Sequence, residues 1–512
     1  MKNIWFGVVI GATFVGPAAA QSADPEKLLH PPADAWLTYH GEYNGQRHSR
    51  LGQITPQNIA HLEQVWRFQT GQNQAIKASP ILSGGVLYLT APDNLWAIDA
   101  RTGKELWHYR HPMNDAFHIG HRGAAIFKDT VYLTTPDCHL IAFNAKDGKI
   151  KWDVLIADSN KGYWSTNAPL IVRNHVLVGV SGDFDNVPGQ LKSIDAETGK
   201  TQWIFYSTPP PGRADSQAGG TTGGQMWTTG TYDPELNLVF VGTGNPTPVL
   251  NGAARPGDNP WTCSIVALNP DTGKLVWGFQ VSPHDTHDWD ANEVPVLADA
   301  DFGGQPRKLL MQASRNGYFF VLDRTNGKSI LTAPFATVNW AKGIDALGRP
   351  IPDPAKEPKK DGVLVAPNEG GATNFRPPSF DSKTGFFIVS AVDGYGIYFF
   401  KNEHGGYGWA GADYSLAGKS FLRAIDYRSG TIAWDHPLGD GSGTAGVLTT
   451  DTGLTISGDN RASVLALRTS DGATLWHANI GRVQNAPITY ELDGKQFVIV
   501  GGGSSLYAFA LR

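Results

Sequence analysis

The sequence is poor in the residues that mark several classes of protein. Cys138 and Cys263 are its two cysteines, so at most one disulfide can form, and the C-x-x-C-H motif of covalent haem attachment does not occur. Charged residues make up 17% of the 512, and the net charge is only -5, which argues against nucleic acid as a partner. After the first residues, no apolar run is long enough to predict a membrane span. Any electrons that this chain transfers must therefore leave to another protein.

The N-terminal residues have the pattern of an export signal. The stretch "MKNIWFGVVIGATFVGPAAAQS" contains an early lysine, an apolar run and a small-residue site before Gln21. We therefore predict a signal peptide over residues 1–20, a periplasmic location and a single soluble domain over residues 21–512. A retained membrane anchor is the less favoured alternative, because the apolar run is short.

The chain is rich in glycine, with 60 residues, and in tryptophan, with 16, and its glycines and tryptophans recur together. Seven segments consist of an apolar strand, a polar turn that ends in glycine, and a second strand. In six of them a tryptophan follows the glycine by four residues, whereas the fifth has Leu331 at that place. Glycine accepts a positive φ in such a turn, and tryptophan offers a large apolar surface to a neighbouring unit. The seven segments are "WAIDARTGKELW", "IAFNAKDGKIKW", "KSIDAETGKTQW", "VALNPDTGKLVW", "FVLDRTNGKSIL", "RAIDYRSGTIAW" and "LALRTSDGATLW".

These repeats predict an all-β fold, an eight-bladed β-propeller. A hairpin unit cannot bury its faces alone, so several units must stack. Gly327 and Gly430 are 103 residues apart, and we expect this interval to contain the eighth unit, in "RPPSFDSKTGFFIVSA" and "GYGIYFF". We expect the early segment "VWRFQTG" to supply a strand that closes the ring. An open solenoid of hairpins is less favoured because it exposes two sheet edges.

The repeat resembles the tryptophan-docking motif of quinoproteins, the family of the pyrroloquinoline quinone (PQQ)-dependent alcohol dehydrogenases. The resemblance covers almost all of the chain after residue 20, and without a haem motif it is to the haem-free form. It implies an oxidoreductase that oxidises an alcohol or polyol with PQQ and either Ca2+ or a lanthanide ion. It also implies an external electron acceptor, such as a periplasmic cytochrome c.

The resemblance also implies roles for residues in the segments between the repeats. In "GGQMWTTGTYDPELNLVFVGTGNPTP" it implies that Trp227 forms the floor beneath the quinone and that Asn245 gives the metal a carbonyl oxygen. In "SRNGYFFVLDRTNG" it places Arg315 opposite the quinone carbonyls, where it would stabilise negative charge. Further cofactor contacts are implied in "HRGAAI", "STNAP", "VSG" and "GGATNFRPPS", at Arg122, Thr166, Ser181, Gly182 and Asn374.

The stretch "SPHDTHDWDANEV" contains the implied catalytic base. Asp288 matches the aspartate that accepts the proton of the alcohol hydroxyl, and it also contacts the metal. Asp290 matches the additional carboxylate of the lanthanide-dependent members, since a trivalent ion prefers more anionic oxygen. Alternation around Trp289 would place both carboxylates on one face, although a solvated turn is the alternative interpretation. His284 and His287 are assigned no role.

Three positions depart from the family pattern. Ala116 and Phe117 stand where the family has adjacent cysteines, so a disulfide over the quinone is missing. Phe184 replaces a metal-binding glutamate, and the flanking Asp183 and Asp185 become candidate metal ligands because side chains alternate along a strand. Lys77 replaces an acidic cofactor contact, and it would either pair with a cofactor carboxylate or occupy the site.

These departures leave two alternative functions open. One is a propeller with an empty or altered cofactor pocket that acts as a binding module. The other is a periplasmic assembly scaffold, which predicts no inward cluster of carboxylates. The enzyme remains the favoured interpretation, because Asp288, Asp290, Asn245, Trp227 and Arg315 are all present in the family's order.

Overall fold

The computed structural model describes residues 25–113, 120–182, 186–210, 221–401, 408–441, 443 and 445–512. The predicted signal peptide, Ala116, Phe117, Asp183, Phe184 and Asp185 lie outside these residues. Short helical segments at Pro25–Leu29, Ile59–His61, Ser159–Lys161, Gly252–Ala254 and Pro354–Lys356 accompany forty strands. Over these ranges, no helix combines the length and the apolar character that crossing a membrane requires.

Eight sheets, each with four antiparallel strands, follow one another along the described chain. The first strand of one sheet contacts the first strand of the next at several junctions, so the first strands surround a common axis. This is the β-propeller that the repeats predicted, and the sheets are its blades. The first blade consists of β3 (Ile81–Ser83), β4 (Val86–Ala91), β5 (Asn94–Asp99) and β6 (Glu105–Arg110), and the second of β7 (Ala125–Phe127), β8 (Thr130–Thr134), β9 (His139–Asn144) and β10 (Ile150–Leu155). The third blade consists of β11 (Leu170–Val172), β12 (His175–Gly179), β13 (Gln190–Asp195) and β14 (Thr201–Tyr206). The fourth blade consists of β16 (Thr231–Asp233), β17 (Leu238–Gly242), β19 (Ser264–Leu268) and β20 (Leu275–Gln280).

The other four blades complete the ring. They are β21 (Val296–Asp301), β22 (Pro306–Ala313), β23 (Tyr318–Asp323) and β24 (Ser329–Pro334); β28 (Ser379–Asp381), β29 (Phe386–Asp393), β32 (Lys419–Asp426) and β33 (Ile432–Asp440); β34 (Leu448–Thr450), β35 (Leu454–Gly458), β36 (Ser463–Arg468) and β37 (Thr474–Asn479), with β1 (His48–Ser49) added; and β38 (Ile488–Leu492), β39 (Lys495–Gly502) and β40 (Ser505–Leu511) with β2 (Leu62–Gln69). Strand β2 pairs antiparallel with β40, which confirms that "VWRFQTG" closes the ring.

The predicted position of the eighth unit is wrong. The segment "RPPSFDSKTGFFIVSA" supplies β28 and β29, which belong to the same blade as the turn at Gly430. The segment "GYGIYFF" forms β30 (Gly396–Phe400), which pairs with β27 (Val363–Val365) and β31 (Gly411–Ser415) outside the blades. Two further pairs lie outside the blades, β15 (Thr222–Gly223) with β18 (Pro246–Thr247) and β25 (Ala341–Ile344) with β26 (Pro350–Pro352). The eighth blade is instead the one that joins the two ends of the chain.

The tryptophan of one blade packs against the turn glycine of the next blade and so joins the two blades. At Gly327, where φ is +74°, an added Cβ would lie 2.5 Å from the Trp277 ring, so the turn needs a residue without a side chain. The Trp277 indole nitrogen donates to the Arg324 carbonyl at 3.1 Å, which ties the ring to the same turn. At Gly430, Leu331 and Ala333 take the place of the indole. Apolar contact across every blade junction therefore joins the ring.

The two cysteines are both buried and free. Burial raises the pKa of Cys138 to about 12. Neither thiol closes a disulfide, so no cysteine bridge holds the blades together.

Candidate active site

One end of the propeller collects the predicted site residues, because two kinds of connection meet there. The first kind is the connection from the last strand of one blade to the first strand of the next blade. The second kind is the turn between the second and third strands of a blade, which lies at the same end of the propeller. Arg122, Thr166, Trp227, Asp288, Asp290 and Asn374 lie in connections of the first kind, and Ser181, Asn245 and Arg315 lie in turns of the second kind. All nine line one cavity of about 350 Å³, a volume typical of small-ligand pockets.

Gly182 and Lys77 are not among the residues that line this cavity. An added Cβ on Gly182 would lie 2.4 Å from Val187, so this glycine packs beneath the rim beside Ser181. Lys77 lines a neighbouring cavity of about 230 Å³ with His121. Burial and the charges of Arg122, Arg376 and Arg482 lower the pKa of Lys77 to about 8. Both residues therefore lie outside the lining of the main cavity, and their contacts with a cofactor stay predictions.

Asp290 connects three parts of the site. One carboxylate oxygen accepts from the Asn245 backbone N–H at 2.6 Å, and the other accepts from the Trp227 indole N–H at 2.7 Å. That second oxygen also lies 3.2 Å from a guanidinium nitrogen of Arg315. Burial raises the pKa of Asp290 above its ordinary value, against the opposing effects of Arg315, Trp227 and Asn245. Asp290 thus joins the aromatic floor to the predicted metal ligand Asn245.

Asp288 and Arg315 form a second buried ion pair. Their charged atoms are 2.8 Å apart, and the same guanidinium nitrogen lies 3.2 Å from a carboxylate oxygen of Glu369. Arg315 therefore serves Asp288, Asp290 and Glu369 at once, and these carboxylates, with Glu293, raise its pKa well above the ordinary value against the effect of burial. One guanidinium cannot neutralise so many carboxylates, so this wall of the cavity carries excess negative charge.

The remaining acidic residue of "PHDTHDWD" holds the loop in shape. The Asp285 carboxylate accepts from the backbone N–H groups of His287, Asp288 and Trp289, at 3.0–3.3 Å. This support holds Asp288 at a φ of 67°, a conformation that costs a non-glycine residue about 1–3 kcal/mol. Burial raises the pKa of Asp285 to about 6. Asp285 therefore positions the candidate base.

The aromatic residues of the same loop point away from the cavity. Trp289 is fully buried and donates its indole N–H to the Asn368 carbonyl at 3.1 Å. His287 stacks on Trp289 with the ring centroids 4.4 Å apart. The alternation expected around Trp289 is confirmed, since Asp288 and Asp290 both reach the cavity. The solvated-turn alternative is wrong, because both carboxylates are buried.

The same cavity is also lined by positive side chains. The Arg122 guanidinium lies over the Trp227 ring at 4.4 Å and over the Phe375 ring at 4.9 Å. Burial lowers the pKa of Arg122 to about 10, and burial together with the charge of Arg482 does the same to Arg376. Both guanidinium groups are therefore positive charges withdrawn from solvent, which favours an anionic ligand beside them.

Sequence reasoning missed several cavity residues. Phe375 and Arg376 directly follow the predicted Asn374. The positive charge of Arg376, so close to a predicted cofactor contact, could have identified it from the sequence. Asn374 itself lines the cavity, but its amide group donates to the Gly370 carbonyl at 3.0 Å and accepts from the Phe375 N–H at 2.8 Å. Glu369 precedes this segment by a few residues. The other missed lining residues are Trp164, Gln225, Gly370 and Trp409.

A metal ion fits the chemistry of the negative wall. Asn245 donates its amide N–H to the Pro246 carbonyl at 3.2 Å, so its side-chain oxygen is the end suited to a cation. Asp288 and Asp290 add carboxylate oxygens, the ligands that hard cations prefer. A flat molecule with several negative charges fits the remainder of the cavity. The Trp227 ring can stack on its flat face, and Arg122 and Arg376 can pair with its negative groups.

The chain is similar to known proteins over most of its length. Residues 36–339 match the family profile described as glucose/ethanol/alcohol dehydrogenase, beta-propeller domain. Residues 418–512 match that of the outer membrane protein assembly factor BamB. A quinoprotein alcohol dehydrogenase, PedH, from Pseudomonas putida is 34% identical over 97% of this chain and 91% of its own length. A quinohemoprotein alcohol dehydrogenase from Comamonas testosteroni is also 34% identical, over 97% of this chain and 77% of its own.

Solved structures show the same relationship. The crystal structure of the Comamonas testosteroni quinohemoprotein alcohol dehydrogenase superposes with a TM-score of 0.89 at 30% identity, covering 96% of this chain and 82% of that one. A europium-containing methanol dehydrogenase superposes with a TM-score of 0.86 at 28% identity, covering 95% of this chain and 100% of that one. BamB from Moraxella catarrhalis reaches 0.50 at 14% identity, covering 88% of this chain and 99% of that one, and shares the fold alone.

Proposed function

The chain belongs to the family of PQQ-dependent quinoprotein alcohol dehydrogenases, and we propose that its cavity binds PQQ beside one metal ion and oxidises an alcohol or polyol. The observation that carries this proposal is that carboxylates and arginines line different parts of a single cavity. Asp288, Asp290 and Glu369 surround one guanidinium on one wall, and Arg122 lies over the Trp227 ring in the same cavity. A cation belongs beside the carboxylates and a flat anion beside Arg122 and the ring.

The proposed metal ligands are the oxygens of Asn245, Asp288 and Asp290. Asp183 and Asp185 are retained as proposed additional ligands. The two carboxylates of Asp288 and Asp290 favour a trivalent lanthanide ion over Ca2+, because each added anionic oxygen strengthens binding of the higher charge. The similarity of this chain to a methanol dehydrogenase that contains europium is consistent with this choice.

The proposed cofactor contacts are Arg122, Thr166, Ser181 and Trp227. When bound, PQQ supplies the electron-accepting quinone, and the metal acts on it as a Lewis acid. The Trp227 ring supports a flat ligand from below, and Arg122 attracts its carboxylates. Arg376 is added as a further contact for an anionic group, since it lines the same cavity.

Asp288 is the proposed general base. Its carboxylate would accept the proton of the substrate hydroxyl, and the hydride of the carbinol carbon would pass to the bound quinone. Arg315 and the Asp285-supported turn hold that carboxylate at the cavity wall. An acceptor such as a cytochrome c and a periplasmic location complete the proposal.

Reconstitution tests this function directly. The purified protein is freed of metal, incubated with PQQ and either Ca2+ or La3+, and assayed by dye-linked oxidation of short alcohols, sugars and polyols. We expect turnover that Asp288→Ala abolishes and that Asp361→Ala, an exposed acidic control, leaves unchanged. Absence of PQQ uptake with either ion would favour the binding module instead. A capture of membrane-assembly proteins that survives Asp288→Ala would favour the scaffold.

A further inference from the structure

Two histidines and an aspartate converge at the junction of the first two blades, and none of them lines the cavity. His111 follows β6 of the first blade, and Asp137 and His139 lie where β8 turns into β9 of the second blade. One nitrogen of His111 is 3.0 Å from a carboxylate oxygen of Asp137, and one nitrogen of His139 is 3.8 Å from the same oxygen. Within the described ranges, this is the one group of such side chains whose ligand atoms all lie within 4.8 Å of one another.

We propose that His111, Asp137 and His139 bind one divalent transition-metal ion of the zinc type. Two imidazoles and one carboxylate form a ligand set that zinc accepts with a fourth position left to water. Around a tetrahedral zinc ion with bonds of 2.0–2.1 Å, neighbouring ligand atoms are about 3.4 Å apart. The observed 3.0 Å and 3.8 Å lie on either side of that value, and all three ligand atoms lie within 4.8 Å of one another, so side-chain rotations can bring them to this spacing.

The local backbone presents the ligands from two directions. Asp137 and His139 are two residues apart and reach the same side, whereas Cys138 between them is fully buried with a φ of 69°. His111 comes from the neighbouring blade and is itself buried. An ion held by these side chains therefore joins the two blades.

Each proposed ligand is oriented by a second polar group. The other ring nitrogen of His139 lies 2.7 Å from the Asp153 carboxylate on the adjacent strand, and that of His111 lies 3.2 Å from the Tyr109 hydroxyl. The Thr135 hydroxyl donates to the second oxygen of Asp137 at 2.5 Å. Outer contacts of this kind, and above all a carboxylate behind a histidine, fix the rings of metal ligands.

The ligand atoms of this site differ from those proposed for the metal ion in the cavity. Imidazole nitrogen suits zinc, cobalt and nickel, whereas the cavity offers oxygen ligands suited to Ca2+ or a lanthanide. The inference does not depend on the proposed activity, and its test does not measure turnover.

Cobalt provides the direct test. The full chain is freed of metal with EDTA and titrated with Co2+ in the presence of excess Ca2+, and the visible d–d absorption of tetrahedral Co2+ is recorded. We expect one equivalent to bind, Zn2+ to displace it, and zinc to raise the Tm.

Variants identify the ligands. We expect His139→Ala to abolish the cobalt absorption, and Asp153→Asn, which keeps the three ligands, to weaken binding 10–100-fold. His477→Ala, on an exposed strand of another blade, and Asp288→Ala, in the cavity, should both retain one equivalent. Absence of tetrahedral cobalt absorption, or full binding by both His139→Ala and Asp153→Asn, would overturn the proposal and leave the cluster as a hydrogen-bonded link between blades.

Discussion

The indole nitrogen of Trp227 donates a hydrogen bond of 2.7 Å to the Asp290 carboxylate, so the aromatic floor of the cavity is bonded to a candidate metal ligand. Asp290 in turn receives the backbone N–H of Asn245 at 2.6 Å. A displacement of the ring therefore changes the geometry of the proposed metal site. This coupling makes the two functions of Trp227, stacking and hydrogen bonding, separable by substitution.

Trp227→Phe tests that separation. The phenyl ring keeps a flat apolar surface but removes the N–H, and a hydrogen bond to a charged group contributes about 1.5–3 kcal/mol. We expect PQQ affinity, followed by quenching of tryptophan fluorescence, to stay within several-fold, while metal affinity falls at least tenfold. Trp227→Ala should lose both. Equal loss of PQQ binding in the two variants would show that the ring does not support the cofactor.

Asp288→Asn tests the proposed base. The amide keeps the size of the side chain but cannot accept the hydroxyl proton, and general base catalysis contributes about 10²–10⁴-fold. We expect the rate of dye-linked alcohol oxidation to fall by at least 100-fold with little change in Tm. Asp361→Asn is the exposed control. A loss of less than tenfold would assign the proton transfer to another group.

Arg315→Met tests the charge balance of the negative wall. The substitution leaves Asp288, Asp290 and Glu369 without the guanidinium they share, and breaking a buried ion pair costs about 3–5 kcal/mol. We expect a loss of this size in the urea unfolding of the metal-free protein, partly recovered by La3+. Arg428→Met, at an exposed turn, serves as control. No recovery with La3+ or Ca2+ would argue against a cation at this wall.

Glu293 makes the stability of the metal-free protein depend on pH. Burial raises its pKa from 4.5 to about 8, although Arg315 acts to lower it. Between these two values the folded protein holds a proton that the unfolded chain releases, so stability falls as the pH rises. Glu293→Gln should remove this loss, gaining about 1–3 kcal/mol over the wild type at pH 9 and nothing at pH 4.

Urea unfolding of both proteins at pH 4, 6.5 and 9 measures this effect. Buried histidines such as His121, whose pKa burial lowers to about 3, affect both proteins equally and cancel in the difference. A difference in free energy that stays constant with pH would contradict the burial argument.

Trp277→Ala tests the docking of the blades. The ring is buried against Gly327, and removing a buried tryptophan costs about 3–5 kcal/mol. Leu331→Ala, at the junction where a leucine replaces the tryptophan, should cost less, because the leucine is only half-buried. Urea unfolding measures both. Equal losses would show that the indole adds nothing beyond apolar contact.

The repeat was readable from the sequence because its determinants are local. A polar turn that ends in glycine marks each unit, and seven of the eight blades carry that turn, six of them with a tryptophan four residues after the glycine. The closing blade has no such turn, since its strand β2 comes from one end of the chain and β38–β40 come from the other. The long interval before Gly430 therefore suggested a further blade, although it holds β27, β30 and β31 outside the ring.

The candidate site was predictable in part for the same reason. Trp227, Asn245, Asp288, Asp290 and Arg315 lie in segments that follow the family pattern, and the structure brings them to one cavity. Lys77 lines a neighbouring cavity, and its position along the chain could not predict which of the two cavities it enters. Glu369 was missed because its importance is its 3.2 Å approach to Arg315, which comes from a distant turn.

The sequence by itself determined the blade repeat, the family and the identity of the carboxylates, because each depends on residues close together in the chain. Only the tertiary structure decided the rest: that the Asp285 carboxylate supports the loop, and that one guanidinium serves three carboxylates. The physical reason is that charge and burial depend on distances in space. Eight blades bring distant segments to within hydrogen-bonding range, and no local pattern records those distances.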